Sequence, residues 1–158
     1  MAHTALQVAN RILSLGKDKG LTFTQMQLLK LVYIAHGWML GAYDEPLINN
    51  QIQAWKYGPV IPDLYSKIKI FGSSEITIPS LTNGQDDVFT EEEIDTLEFV
   101  LEVYGDNSAA RLSQITHMPN TPWSAVYNEN GWAEEIPDSL IKQHYKELYK
   151  KYFNEPTT

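Results

Sequence analysis

Three side chains stand out as groups that could do chemistry: His36, His117 and Lys30, each within a largely apolar stretch. A histidine can move protons near neutral pH or bind a metal ion, and a lysine on an apolar helix must reach the surface or pair with a carboxylate. Catalytic or metal use of either histidine would require a third group that converges on it in the fold. We therefore interpret both histidines as hydrogen-bonded structural residues, and Lys30 as either ion-paired or exposed.

The motifs specific enough to identify an enzyme from one sequence are absent. The chain has no nucleophile elbow, no phosphate-binding glycine loop, no HExxH helix and no EF-hand loop. It has no cysteine, which excludes disulfides and thiolate zinc sites, and its four histidines are scattered. We expect a protein that is not an enzyme, with no catalytic residue, no metal site and no cofactor.

The charge of the chain is uneven. The net charge is -8, and the stretch from Glu75 to Asp106 holds ten acidic residues and no lysine or arginine. This disfavours direct nucleic-acid binding, which relies on basic patches. The acidic stretch could attract a basic protein partner or could simply be a solvated helix face. With neither a signal peptide nor a membrane-spanning run of apolar residues, we expect a soluble cytoplasmic protein without a membrane partner.

Apolar periodicity and helix caps predict a mainly α (α+β) fold: a compact bundle of about five to seven helices with a small β-hairpin or a short two- to three-stranded antiparallel sheet. A chain of 158 residues suits one domain, 1-158, with residues 154-158 as a flexible tail. The predicted helices cover 4-17, 25-40, 62-71, 90-104, 108-117, a short segment from 121, and 137-152. Residues 48-55 predict a short strand, and 73-89 an edge strand or hairpin arm that pairs with it.

The stretch "WKYGPVIPDLY", residues 55-65, reads as a rigid corner. We expect Gly58 and Pro59 to turn the chain out of the strand and Pro62 to start a helix. Three aromatic residues would wall this corner, and Tyr57 in particular could anchor a partner. The four tryptophans are each interpreted as core residues first and interface anchors second.

Several blocks carry a family resemblance: "TQMQLLKLVYIAHGWML", "IQAWKYGPVIPDLY" and "LSQITHMPNTPW". In order and spacing they resemble the Panacea antitoxin domain, the SocA-like group also described as phage-associated GepA-type proteins. The resemblance covers most of the chain, from about Ala9 onward. The residues that match the family motif in a structural role are Lys30, Tyr33, Gly37, Trp38, Gly58, Pro62, His117 and Pro122. Gln25 and Leu29 depart from the family pattern, and we interpret them as helix-start or surface changes.

The resemblance implies an antitoxin of a type II-like toxin-antitoxin pair. Such a protein would neutralise a toxin encoded next to it by direct protein-protein binding. One alternative is an adaptor that delivers the toxin to a cytoplasmic AAA+ protease, and another is an enzyme that uses His36 or His117. The residues expected to bind the partner are Trp55, Tyr57, Pro59, Tyr65 and Trp123.

Overall fold

The protein is described by a computed structural model that covers residues 2-76 and 88-154. The helices are α1 (Ala5–Asp18), α2 (Gln25–Tyr43), α3 (Pro62–Ile68), α4 (Glu91–Tyr104), α5 (Ala109–Thr116), α6 (Pro122–Val126) and α7 (Asp138–Tyr149). The strands are β1 (Gln53–Trp55), β2 (Gly58–Val60) and β3 (Glu134–Glu135). A 3-10 turn, Lys69–Phe71, follows α3, and a π-helical turn, Lys150–Asn154, follows α7. The predicted mainly α fold with a small antiparallel sheet is confirmed.

Local capping sets where the helices begin. Thr24 accepts a hydrogen bond from the backbone N–H of Gln27, and the Gln27 side chain bonds back to the Thr24 backbone. Thr90 and Glu93 form the same reciprocal pair at the start of α4. Both boxes satisfy N–H groups that the first turn of a helix leaves without a partner. The predicted starts of α2 and α4 are therefore confirmed.

Helix α2 is the centre of the fold, and it is buried on almost every side. Glycine allows α7 to lie close against it. A Cβ atom on Gly37 would overlap the ring of Tyr145, and one on Gly41 would lie 2.6 Å from the backbone carbonyl carbon of Tyr145. Leu29 is also buried, so it packs in the core and is not the helix-start or surface change that we expected.

The sheet corrects one expectation about the corner. Its order is β2-β1-β3, and Trp55 pairs with Gly58, which leaves Lys56 and Tyr57 as a two-residue loop. Gly58 and Pro59 thus belong to a second strand instead of turning the chain out of the sheet. Proline fits here because β2 is an edge strand, where a missing N–H donor is tolerated.

A strand beside β1 was predicted at 73-89, but both strands that pair with β1, β2 and β3, lie outside that stretch. In that stretch Glu75 forms an isolated bridge with Thr24, and residues 77-87 lie outside the described residues. β3 is only two residues long, with no apolar alternation. Its sequence therefore carries almost no strand signal.

The end of the chain differs from the prediction. The last helix was predicted to reach residue 152, but the α-helix ends at Tyr149 and Tyr152 is 58% exposed. The reason is the switch from α-helix to π-helical turn at Lys150, which changes the rotation per residue and carries later side chains off the α-helical stripe. The predicted flexible tail begins at residue 154, and residues 155-158 lie outside the described part of the chain.

Candidate partner-binding site

Aromatic side chains gather around the tip of the β1-β2 hairpin. We call this surface the hairpin face, and its residues are Trp55, Tyr57, Tyr65, Trp123, Tyr127 and Trp132. The rings of Trp55 and Tyr65 meet edge to face with centroids 5.4 Å apart. The indole N–H of Trp123 donates to the backbone oxygen of Trp55 at 2.6 Å, and the Trp123 ring stacks on Tyr127 at 4.5 Å. These contacts bring together side chains from the hairpin, α3 and α6.

Tyr57 lies in the hairpin loop, and its side chain is 64% exposed. Its backbone is held in place, because its carbonyl accepts a hydrogen bond from the Ser113 hydroxyl of α5. The Lys56 ammonium lies 5.5 Å from the centre of the Tyr57 ring. A large ring on a fixed backbone loses little conformational freedom when it binds a partner.

Trp132 extends the hairpin face, and sequence reasoning missed it. Its side chain is 91% exposed. The antiparallel pairing of β3 with β1 ends at Ala54 and Glu134, and Trp132 precedes Glu134 by two residues, on the side of the sheet where the β1-β2 loop lies. A tryptophan is usually interpreted as a core residue, and only the preceding "NENG" stretch signals an exposed loop.

Pro59 was expected to touch a partner, but it is buried. Its carbonyl oxygen accepts a hydrogen bond from the Lys30 ammonium at 2.8 Å. Pro59 therefore supports the hairpin from beneath and offers no side chain to a docking protein. The other four expected residues, Trp55, Tyr57, Tyr65 and Trp123, all belong to the hairpin face.

Lys30 is fully buried, which corrects the expectation that it is exposed or ion-paired. No carboxylate pairs with it in residues 2-76 and 88-154, and burial lowers the pKa of its ammonium to about 8. Gly58 covers it with a φ of +119°, and a Cβ atom there would lie 2.9 Å from the Lys30 Nζ. Lys30 thus ties the central helix to the underside of the hairpin.

The two histidines occupy structural positions. The Nδ1 of His36 accepts hydrogen bonds from the backbone N–H groups of Leu47 and Ile48, so its Nε2 carries the proton and donates to Asp138 at 2.9 Å. His117 ends α5, donates from Nδ1 to the Ser113 carbonyl, and packs its ring on Trp123. Within the described chain, no group of three His, Cys, Asp or Glu side chains is placed to hold a metal ion.

The remaining motif residues hold elements together. Pro62 and Pro122 occupy the first positions of α3 and α6. The indole N–H of Trp38 donates to the Tyr104 hydroxyl at 3.2 Å. The Tyr33 ring is buried in the core, and burial raises the pKa of its hydroxyl, which has no hydrogen-bond partner among the described residues. None of the helices in the described ranges has the length and apolarity to cross a membrane.

Comparison with known proteins gives two findings. The model of the family described as "Antitoxin SocA-like, Panacea domain" matches residues 28-124, which is more than half of the chain. The chain is also 29% identical over 154 residues to "Antitoxin SocA" of Caulobacter vibrioides (strain NA1000 / CB15N), a match that covers 90% of this chain and 82% of that protein. No solved structure matches. The chain belongs to the SocA-like antitoxin family with a Panacea domain.

Proposed function

We propose that this protein is the antitoxin of a type II-like toxin-antitoxin pair and that it neutralises the toxin encoded beside it by direct binding. The observation that carries the proposal is membership of the SocA-like family, together with a relative whose name is that of an antitoxin. We assign the toxin contact to the hairpin face. The chain acts as one cytoplasmic domain with no direct contact to nucleic acid.

The exposure and support of the hairpin face favour this assignment. Tyr57 and Trp132 expose large rings, and the other aromatic residues of the face are half-buried. Binding energy in protein interfaces concentrates in a few such residues, where truncation to alanine costs about 2 kcal/mol or more. All hairpin-face residues except Tyr127 and Trp132 lie within the range that the family model matches.

A binding role also agrees with the state of the two candidate catalytic side chains. Both His36 nitrogens are engaged in the fold, and the His117 Nδ1 is used within its own helix. His36 pairs with the Asp138 carboxylate, and the Ser113 hydroxyl lies 3.4 Å from the His117 Nδ1, but backbone groups of the fold already occupy the Nδ1 of both rings. These contacts favour a structural role for both histidines over the enzyme alternative.

The test is co-purification of the protein with the product of the neighbouring gene. We expect Tyr57→Ala and Trp132→Ala each to weaken the complex about tenfold or more while the melting temperature stays close to wild type. Ile70→Ala is the matched control, because Ile70 is 85% exposed but lies on the 3-10 turn after α3. A complex of unchanged affinity in both aromatic variants would move the contact away from the hairpin face. No complex and no protection in the wild type would reject the antitoxin function for this pair.

A further inference from the structure

A second exposed aromatic surface lies away from the hairpin face, where a pocket of about 230 Å³ opens between α2, α4 and the π-helical turn. We call it the α4 pocket. Trp38 and Phe99 form part of its lining, with their rings edge to face at 5.0 Å. Tyr43 and Phe153, which also line it, are 43% and 52% exposed. The pocket therefore presents apolar surface that the described chain does not cover.

The rim of the α4 pocket is negatively charged. Asp95 lines the pocket, and Glu92 lies three residues earlier on the same helix, one turn away. Neither acid forms an ion pair with the described residues. Partial burial, followed by the charges of Asp95 and Glu92, raises the pKa of Tyr43. The pocket thus combines aromatic walls with a negative field.

The charge of the pocket favours a cationic occupant. Residues 77-87 and 155-158 lie outside the described chain, and they supply no cation, because the first segment carries Asp86 and Asp87, the second carries Glu155, and neither contains a lysine or arginine. A second copy of the chain would bring a net charge of -8 to an acidic rim. Charge complementarity therefore selects a segment from a different, basic molecule.

We propose that the α4 pocket binds a basic segment of the toxin, with an apolar side chain entering the pocket and flanking lysine or arginine residues facing Asp95 and Glu92. This rests on the proposed function, and it adds a second contact surface to the hairpin face. The apolar side chain supplies burial, and the charges supply orientation and rate of association. Because the screening length is about 8 Å at physiological ionic strength, this contact weakens as salt is added.

The first experiment does not depend on the toxin. The full chain, labelled with ¹⁵N, is titrated with a short synthetic peptide of alternating arginine and leucine, and amide shifts are recorded. We expect the largest shifts at Tyr43, Asp95 and Thr96, with weaker binding of an arginine-serine peptide and none of an aspartate-leucine peptide. Two results would overturn the proposal that the pocket recognises a segment with both apolar and basic side chains. One is a set of shifts spread evenly along the acidic residues, and the other is equal shifts with the two arginine peptides.

The second experiment uses the complex with the neighbouring gene product. Asp95→Lys is compared with Asp106→Lys, which makes the same charge change two residues beyond the C-terminal end of α4. We expect Asp95→Lys to weaken the complex about tenfold and to reduce its salt dependence, and Asp106→Lys to change little. Equal affinities for the two variants would overturn the proposal while leaving the proposed function intact. Failure of the wild-type chain to form any complex would overturn the proposed function, and with it the assignment of this pocket to a toxin.

A plugging variant checks the apolar half of the proposal. Ala42 lines the pocket, so Ala42→Phe places a ring in the space that the toxin side chain would fill. We expect a melting temperature close to wild type and a weaker complex. An unchanged complex in this folded variant contradicts the insertion of an apolar side chain.

Discussion

Lys30 and Gly58 meet beneath the β1-β2 hairpin. Among the described residues the Lys30 ammonium has one hydrogen bond, to the Pro59 carbonyl, and Gly58 leaves room for the ammonium because it has no side chain. A buried cation without a counter-ion is costly to hold, so the fold gives up stability to keep this contact. The resemblance to the family places Lys30 in a shared motif, but its type and spacing gave no indication of a buried, unpaired charge. Such a position depends on how the hairpin folds over α2, which is a long-range contact.

The burial of Lys30 predicts a pH dependence of stability. The pKa falls from 10.5 to about 8, so between these values the unfolded chain binds more protons than the folded chain and the free energy of unfolding rises with pH. Over the whole range from pH 8 to pH 10.5, the free energy of unfolding rises by about 3 kcal/mol from this group. Lys30→Met lacks this titration, so the stability of the wild type relative to the variant should increase from pH 8 to pH 10.5. Denaturant unfolding of both proteins measures this difference. A difference that stays constant with pH would contradict the described environment of Lys30.

His36 and His117 predict unequal costs of substitution. His36 is buried and bonds Leu47, Ile48 and Asp138, so His36→Ala should lower stability by about 2 to 4 kcal/mol. His117 is only partly buried, and His117→Ala should cost about 1 kcal/mol. Thermal melting gives both values. Under conditions where the variants are folded, both should still protect cells from the toxin. Lost protection in a variant with an unchanged melting temperature would instead support a catalytic or ligand-binding role.

Among the helices and strands, those marked by a local sequence pattern were predictable, and those that depend on long-range contacts were not. The helix starts at Thr24 and Thr90 were predictable because a capping box is a pattern over four residues. The β1-β2 hairpin was not, because Lys56 and Tyr57 are not typical residues of a two-residue loop and neither has a positive φ. The positive φ falls on Gly58, the first residue of β2. The glycine therefore suggested a turn at Gly58 and Pro59, which lies after the true loop of Lys56 and Tyr57. The end of the last helix was not predictable, because apolar periodicity does not distinguish a π-helical turn from a further α-helical turn.

Gly58 gives a prediction at this scale. Gly58→Ala should lower stability by about 1 to 3 kcal/mol, because it forces a side chain to a φ of +119° and brings the new Cβ atom to 2.9 Å from the Lys30 Nζ. Gly20→Ala is the matched control, since Gly20 also has a positive φ, +75°, but nothing lies within 4 Å of the added atom. Denaturant unfolding should show the larger loss at Gly58. Equal losses would mean that backbone strain alone accounts for the effect and that the Lys30 contact adds nothing.

At the scale of the whole molecule, sequence reasoning reached the fold class, the family and most of the hairpin face. It missed Trp132, whose place at the loop end of the sheet depends on the pairing of β3 with β1 over a separation of about eighty residues. It also did not identify the α4 pocket, because the walls of this pocket come from three segments that are distant in the chain. The molecule presents an aromatic face at the hairpin and an acidic aromatic pocket beside α4. In our account, both surfaces serve the recognition of one basic protein partner.

The most direct test of the account is growth of cells that co-express this protein and the neighbouring toxin in a host lacking cytoplasmic AAA+ proteases. Direct neutralisation predicts normal growth, an unchanged amount of toxin and a recoverable complex of the two proteins. An adaptor would protect only when the protease is present, and the toxin would then disappear. Toxicity in the protease-deficient host, despite a folded protein in excess of the toxin, would contradict neutralisation by binding.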